Sequence, residues 1–213
     1  MRKLSYNLFM IIGFNEYKNK YDFSNVKGVI HVGAHWGQEY EEYQEFFNQP
    51  KIHWFEPQQD VFNALVERLE NKPNNQFYNY GLGSKSEVKQ IWGESNNDGQ
   101  SASFSKPIKH IEQYPHIIFE ESEFFEIKTL DEFNIQDSNL LVLDVQGFEM
   151  EVLKGSTETL KNIDHIFCEI NSVEMYEGCP TLEELCNFLS QYGFTLRENW
   201  WTDGNWGDGY WSK

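Results

Sequence analysis

Basic residues are scarce in this sequence. It has 17 lysines and arginines against 34 aspartates and glutamates, which gives a formal net charge of −17 at pH 7. A surface of that sign repels phosphate backbones and anionic lipids, and proteins that bind nucleic acid usually present a basic face. We therefore expect no nucleic-acid partner.

Cysteines and long apolar runs are also few. The three cysteines, Cys168, Cys179 and Cys186, form no C-x-x-C pair, which argues against a disulfide framework or a zinc ribbon and fits a reducing cytoplasm. The apolar patch Leu8–Phe14 is too short to span a bilayer and lacks the features of a signal peptide. We expect no membrane insertion, and we assign this patch to a helical extension, residues 1–27, packed on a single domain that covers residues 1–213.

Short apolar runs alternate with helical patterns along the chain. This alternation predicts an α/β domain, and 213 residues are enough for one substantial core. The predicted strands are Gly28–Val32, Ile52–Phe55, Gln76–Tyr80, Val88–Trp92, Leu140–Val145, His165–Ile170, Thr195–Thr202 and Tyr210–Lys213. The predicted helices are Glu39–Asn48, Gln58–Asn71, Glu149–Lys154, Thr157–Lys161 and Leu182–Tyr192.

Two further segments stand apart from this alternation. Residues 93–125 contain "GESNNDGQSASFSKP", a polar stretch that indicates a loop, and we expect this region to border a substrate or cofactor. Near the C-terminus, Asp203-Gly204 separates two aromatic runs and predicts an antiparallel hairpin. Most of its aromatics, Trp200, Trp201, Trp206 and Trp211, should pack on the sheet, whereas one or two, with Tyr176, would lie at a rim where a sugar can stack.

The stretch "VIHVGAHWGQE" resembles the start of a nucleotide-binding βα unit, but G-x-G-x-x-G is absent. His35 stands where a glycine would let the backbone approach a pyrophosphate, so the loop should face another group. Glu56 ends the next predicted strand, 23 residues after Gly33, where an acid commonly binds ribose hydroxyls. Together they indicate a cofactor that contains ribose. The alternatives are a turn without a ligand and a glutamate that caps the helix after Pro57.

Five segments occur in the order "VIHVGAHWGQE", "WFEP", "NYGLGSKSE", "LLVLDVQGFEMEVLKG" and "WGDGYW". In that order they resemble the FkbM family of S-adenosylmethionine-dependent methyltransferases. The resemblance implies a Rossmann-like class I methyltransferase fold, with a seven-stranded, mostly parallel sheet, an antiparallel C-terminal hairpin and helices on both faces. It also implies O-methylation of a hydroxyl, most often on a sugar, glycan or polyketide.

The resemblance also assigns residues to S-adenosylmethionine. The backbone at Gly33–His35 would line the methionine end, amides near Gly37–Glu39 would favour its carboxylate, and Glu56 would take the ribose hydroxyls. The full set implied to bind the cofactor is Gly33, Ala34, His35, Gly37, Glu39, Glu56, Pro57, Gly81, Leu82, Ser101, Ser103 and Asp144. Within it, Gly81 and Leu82 would frame the adenine, and Ser101 and Ser103 belong to a serine-containing loop.

Four residues are candidates for catalysis. Asp144 is the first candidate for the base that takes the acceptor's proton, although it would also suit the cofactor's ammonium. His35 is the alternative base because its ordinary pKa suits neutral pH, unless it only packs. Glu149 would either act beside Asp144 or stabilise a helix N-terminus. Glu169 is the fourth candidate, and with Asp144 and Asn171 it offers oxygen ligands for a magnesium or manganese ion, unless it positions substrate.

Two other function classes are compatible with parts of the sequence. A nicotinamide oxidoreductase would share the βα start, but no tyrosine is followed four positions later by lysine, so the Y-x-x-x-K pair of short-chain dehydrogenases is missing. A non-catalytic module that keeps a cofactor pocket is the second alternative. The acceptor, a glycan or a small molecule, and the oligomeric state have no recognisable sequence signal.

Overall fold

The computed structural model describes residues 20–213 and is built on a seven-stranded sheet with the order β3-β2-β1-β7-β8-β10-β9. The first five strands of that order are parallel, and β10 pairs antiparallel with both β8 and β9. The strands are β1 (Gly28–Val32), β2 (Lys51–Phe55), β3 (Asn75–Tyr78), β7 (Leu140–Leu143), β8 (His165–Asn171), β9 (Thr195–Trp201) and β10 (Trp206–Ser212). The predicted mostly parallel sheet with a terminal antiparallel hairpin is confirmed.

Helices cover both faces of this sheet, as predicted. They are α1 (Tyr40–Phe46), α2 (Gln59–Leu69), α3 (Lys109–Gln113), α4 (Glu149–Lys154) and α5 (Leu182–Ser190), with short 3-10 helices at Leu130–Phe133 and Thr159–Lys161. Thr181 starts α5 with a capping box: its hydroxyl accepts from the amide of Glu184 at 3.2 Å, and the Glu184 carboxylate accepts from the amide of Thr181 at 2.8 Å.

Side chains that alternate along the central strands build two cores, one on each face. Val29, Leu140 and Val142 point to the face covered by α1 and α2, where they pack with Trp54 and Leu65. Their neighbours Ile30, Leu141 and Leu143 point to the opposite face, where α4 and α5 contribute Val152, Leu153, Leu185 and Leu189. Burial on both faces fixes the register of the strands, and it brings their carboxyl ends to one edge.

A smaller sheet flanks the main one and was only partly predicted. It has the order β4-β6-β5, formed by β4 (Gly81–Leu82), β5 (Glu87–Glu94) and β6 (Phe119–Lys128). The predicted strand Val88–Trp92 is therefore real but belongs to this second sheet, whereas β6 and α3 were not predicted. β6 reads "FEESEFFEIK", and its many glutamates disfavour a strand by composition. Antiparallel pairing with β5 supplies the missing stabilisation.

Two expectations concern the N-terminal part of the chain. The predicted helix at Leu8–Phe14 lies outside the described residues. Residues 20–27 contain turns and no helix, so the predicted helical extension is wrong for this part, although Phe23 and Val26 do pack into the core beneath α1. Within residues 20–213, no helix is long and apolar enough to cross a bilayer.

Candidate active site

The loop after β1 is fastened to the ends of two neighbouring strands. Gly33 has φ +81°, and a β-carbon there would lie 1.7 Å from the carbonyl oxygen of Asp144, so only glycine allows this approach. The amides of Gly33 and Ala34 both donate to the carbonyl oxygen of Phe55 at 3.0 Å. The loop therefore runs directly past the carboxyl ends of β2 and β7.

Glu56 lies at the centre of this arrangement. Its carboxylate accepts from the amide of His35 at 3.1 Å and from the amide of Gln58 at 2.9 Å. Burial raises the pKa of Glu56 to about 7. The Gln58 side chain adds a further hydrogen bond. A carboxylate has about four acceptor positions, so Glu56 shapes the loop and keeps acceptor capacity for a ligand.

A first cavity opens between the ends of β1, β2, β4 and β7. Eight of the residues assigned to the cofactor line it: Gly33, His35, Glu56, Pro57, Gly81, Leu82, Ser103 and Asp144. The other four do not line it. Ala34 is buried behind it, a β-carbon at Gly37 would overlap Leu65 and Leu69 of α2, Ser101 faces a second cavity, and Glu39 faces a small third one.

Glu39 is the most unusual acid near these cavities. It is 6% exposed, and neither carboxylate oxygen has a hydrogen-bond partner in another residue. Burial raises its pKa to about 8, and the charge of Asp144 adds to the shift. The Gly37 and Tyr40 amides, by contrast, donate to the carbonyls of Ala34 and Gly37. The Glu39 side chain, and not these amides, is therefore the group of this segment that can bind a ligand, and a carboxylate suits a cation.

The segment 97–103 forms the roof of the first cavity, and His35 holds it. The His35 Nε2–H group donates to the carbonyl of Asp98 at 2.7 Å, and Nδ1 accepts from the Gln38 amide at 2.8 Å. Ser103 Oγ adds a second attachment by donating to the carbonyl of Gln146 at 2.6 Å. Burial lowers the pKa of His35, and both ring nitrogens are engaged, so this geometry gives His35 a structural use.

Asp144 and Glu169 meet at the edge where β7 and β8 lie side by side. Their carboxyl groups share a hydrogen bond, and the Gln146 amide donates to both, to Asp144 Oδ1 at 2.7 Å. Burial raises the pKa of Asp144. It raises the pKa of Glu169 well above its ordinary range, and the neighbouring Asp144 charge adds to that shift. Of the two carboxyl groups, Glu169 therefore keeps a proton more readily than Asp144.

Glu149 lies beneath the turn that follows β7 and lines neither the first nor the second cavity. It is fully buried, and its Oε1 accepts from the amides of Gly147 at 3.0 Å and Val145 at 3.3 Å. Burial raises its pKa to about 7. These contacts fix the turn that carries Asp144 and Gln146, in line with a stabilising use of Glu149.

The second cavity, of about 700 Å³, shares Asp144 and Gln146 with the first, as well as Gln100 from the segment between them. Tyr176, expected at a rim, is buried in its wall, and its hydroxyl lies 3.0 Å from Gln146 Oε1. The remaining lining residues are Asn97, Asp98, Ser101, His110, Tyr114, His116, Ile117, Glu169, Asn171, Met175, Trp206 and Asp208. Of the hairpin tryptophans, Trp206 borders this cavity, whereas Trp211 is packed in the core.

Several of these residues were not selected from the sequence. Gln146 and Asp208 lie inside two of the segments that resemble the FkbM family, "LDVQGFE" and "WGDGYW", close to residues that were predicted for the site. His110 lies in a region read as irregular and had no signal of its own. Among residues 20–213, no group of three or more histidine, cysteine, aspartate or glutamate side chains is arranged to hold a metal ion, so the suggested magnesium or manganese site is not supported.

The fold is that of class I methyltransferases. The chain resembles a methyltransferase FkbM from Methylobacillus flagellatus KT, with a TM-score of 0.60 and 13% identity over 92% of this chain and 45% of that one. It also resembles human N-acetylserotonin methyltransferase, solved in complex with S-adenosylmethionine, with a TM-score of 0.50 and 10% identity over 95% and 52% of the two chains. At these identities the similarity defines the fold.

Sequence comparison then gives the family. The family model "Methyltransferase FkbM domain" matches residues 31–196. The chain belongs to the FkbM methyltransferase family, which confirms the resemblance found in the sequence. The 2-O-methyltransferase NoeI of Sinorhizobium fredii (strain NBRC 101917 / NGR234) is 30% identical over 108 residues, or 46% of this chain and 44% of NoeI. The chain spans less than half the length of NoeI and of the Methylobacillus protein.

Proposed function

We propose that this protein transfers the methyl group of S-adenosylmethionine to a hydroxyl oxygen of a sugar, in a glycan or glycoconjugate. The observation that carries the proposal is the meeting of two cavities at Asp144 and Gln146. One cavity is lined by eight of the residues assigned to the cofactor, and the other is wide and combines polar with aromatic side chains. A cofactor and an acceptor that enter from these two sides would meet beside the Asp144 carboxylate.

The residues of the first and third cavities fit the cofactor. Glu56 offers lone pairs to the two ribose hydroxyls, and the partnerless carboxylate of Glu39 suits the ammonium of the methionine end. Gly81 and Leu82 lie at the opposite side of the first cavity, where the adenine would be framed. When bound, S-adenosylmethionine supplies a methyl group on a positively charged sulfur, and S-adenosylhomocysteine leaves.

Asp144 is the group best arranged to receive the acceptor's proton. Its side chain lies where both cavities reach it, and the pKa of the neighbouring Glu169 is raised further, so Asp144 is the member of the pair that ionises first. As the new O–CH₃ bond forms and the C–S bond breaks, the hydroxyl proton would pass to Asp144. Gln146 and Glu169 hold that carboxylate in place. Orientation and a base in reach are the two main contributions open to such an enzyme.

One observation supports a sugar as the acceptor, and another supports oxygen as the methylated atom. The second cavity combines aromatic side chains, Tyr114 and Trp206, with hydrogen-bonding groups such as Asn171, which is the mixture that suits a ring with several hydroxyls. The relative NoeI is named as a 2-O-methyltransferase. Methylation of oxygen is therefore the preferred assignment over methylation of nitrogen or carbon.

Titration calorimetry with S-adenosylmethionine and S-adenosylhomocysteine tests the proposal. We expect micromolar binding to the wild type and a loss of at least tenfold in Glu56→Ala. Glu67→Ala, which removes an exposed acid on α2, is the matched control and should bind as the wild type does. A melting curve of each variant separates lost contacts from an unfolded loop. Failure of the folded wild type to bind either compound would overturn the proposal.

A further inference from the structure

Two buried polar atoms in the wall of the second cavity have no hydrogen-bond partner. They are Oδ1 of Asn171 and Nδ1 of His110, in side chains that are 5% and 6% exposed. Buried polar atoms are nearly always paired in folded proteins. Because both residues line the same cavity, a ligand that fills the cavity is the natural partner for both atoms.

The chemistry of these atoms restricts that ligand. An amide oxygen only accepts hydrogen bonds, so Asn171 Oδ1 needs a hydroxyl or an amine and gives nothing to a carboxylate or phosphate. Burial lowers the pKa of His110 to about 4, so the ring is neutral near pH 7. A hydroxyl group both donates and accepts, and it can therefore pair with Nδ1 in either tautomer.

The charges around the cavity impose the same restriction. Four carboxyl groups border it, those of Asp98, Asp144, Glu169 and Asp208, and no lysine or arginine lies among the described residues of its lining. A phosphate or carboxylate group placed there would meet negative charge with no cation to compensate it. A hydroxyl or a protonated amine meets no such penalty.

We propose that the acceptor is a saccharide without anionic groups, either neutral or amino-substituted, and that Asn171 and His110 determine its specificity by binding hydroxyls of the sugar. This inference rests on the proposed function and adds the substrate class to it. Nucleotide-activated sugars and uronic acids are excluded as substrates.

Ligand-observed NMR on the protein saturated with S-adenosylhomocysteine tests the substrate class directly. The probes are matched methyl glycosides: glucose, glucosamine and glucuronic acid, the corresponding galactose set, and UDP-glucose. In at least one set, we expect saturation transfer to the neutral or the amino sugar, and affinity at least tenfold weaker for the acid and for the nucleotide sugar. Equal or tighter binding of an anionic probe, or no binding of any saccharide, would overturn the inference.

Substitutions in the cavity test the two specificity residues. Asn171→Ala and His110→Phe each remove one polar atom, and phenylalanine keeps the ring that packs on Tyr114 and Tyr176. Each variant should raise the acceptor KM by about 3- to 10-fold, the usual effect of losing one hydrogen bond, with an unchanged Kd for S-adenosylmethionine. A fall in cofactor affinity or in melting temperature, with no change in KM, would mean that these residues are only structural.

Two variants that each replace an aspartate by asparagine test whether the carboxyl groups of the cavity disfavour anionic sugars. Asp98→Asn removes one carboxylate from the cavity and keeps a residue that tolerates the positive φ of 57° found there. It should narrow the discrimination against the glucuronide severalfold, whereas Asp203→Asn, in the exposed hairpin turn, should leave it unchanged. Equal effects of both variants would assign the discrimination to net charge rather than to the cavity. Cofactor binding together with equal or tighter binding of an anionic saccharide refutes this inference alone, whereas failure to bind the cofactor or any saccharide also refutes the proposed function.

Discussion

At the scale of single residues, the site is defined by acids buried without cations. Glu39, Glu56 and Glu149 each have a pKa raised by burial, to about 8, 7 and 7. Such groups are costly to keep charged. Each is therefore either held by backbone amides, as Glu56 and Glu149 are, or left for a ligand, as Glu39 is.

The proposed contact between Glu39 and an ammonium group predicts proton release on cofactor binding. At pH 7 a carboxyl with a pKa of about 8 is mostly protonated, and it must ionise to hold the cation. Calorimetry of S-adenosylmethionine binding in phosphate and in Tris should reveal the released protons as a buffer-dependent enthalpy. Glu39→Gln should reduce that number and weaken binding by about 10- to 100-fold, as expected for a charged hydrogen bond. The same proton count in the wild type and the variant would refute this role for Glu39.

The Asp144–Glu169 pair predicts unequal effects of two conservative substitutions. Asp144→Asn removes the proposed base and should lower kcat by about 10²- to 10⁴-fold. Glu169→Gln keeps a donor toward Asp144, so kcat should fall less than about tenfold. Both are measured as formation of S-adenosylhomocysteine with a saturating acceptor. The opposite order of effects would make Glu169 the base.

Site residues that directly follow an apolar strand could be predicted from the sequence. The roles of residues elsewhere in the chain could not. Glu56 and Asp144 end runs of buried residues, so their position at the sheet edge was predictable. Glu39 precedes by four residues Tyr43, which lies on the buried face of α1, and this spacing can be seen in the sequence. That Glu39 is buried without a partner, however, depends on its contact with β7 and β8 in the fold. Gln146 and His110 have roles created by tertiary contacts alone.

At the scale of secondary-structure elements, Gly33 lets the loop after β1 approach the end of β7. Substitution by alanine tests the importance of this approach, and Gly193 is the control position. Gly33→Ala would combine a positive φ with a β-carbon 1.7 Å from a carbonyl oxygen, whereas Gly193→Ala has φ +88° and nothing within 4 Å of the added carbon. We expect Gly193→Ala to cost about 1–2 kcal/mol of unfolding free energy, and Gly33→Ala at least about 3 kcal/mol. Urea denaturation of both variants measures the difference, and equal costs would contradict the described close approach.

His35 predicts the mobility of the roof over the first cavity. His35→Asn keeps a residue that tolerates φ 45° but cannot reach Asp98 in the same way. Hydrogen exchange of amides 97–103 should become faster, and the KM for the cofactor should rise, with little change in kcat. If kcat instead fell 100-fold or more with unchanged exchange, His35 would be the base.

The elements themselves were predictable in proportion to how apolar they are. β1, β2, β7 and β8 are buried runs, and their predicted bounds agree with the structure to within two residues. β6 could not be predicted from an apolar run, because it contains four glutamates, Glu120, Glu121, Glu123 and Glu126. It is a strand because it pairs with β5. Likewise, the predicted helix Thr157–Lys161 is a 3-10 turn at Thr159–Lys161.

At the scale of the whole molecule, the buried acids predict how stability depends on pH. Their folded pKa values lie above the ordinary value of 4.5, so the folded state binds more protons and stability is lost as pH rises toward about 8. Buried histidines such as His31 and His110, with pKa values lowered to about 3 and about 4, act in the opposite sense but only below about pH 6.5.

Between pH 6.5 and 8 the carboxyl groups should therefore dominate. We expect the unfolding free energy of the ligand-free protein to fall across this window, and Glu39→Gln to make the fall shallower and to be more stable than the wild type at pH 8. Chemical denaturation at several pH values measures both. A flat profile in the wild type would show that the carboxyl pKa values are not raised.

The position of β10 between β8 and β9 has a consequence for synthesis. The residues proposed to hold the cofactor, from Gly33 to Asp144, leave the ribosome before β10, which carries Trp206 and Asp208 into the wall of the second cavity. β9 cannot join the sheet until β10 has been made, since it pairs only with β10 among the described strands. The wall of the second cavity is thus completed only when the β9–β10 hairpin has folded back onto β8.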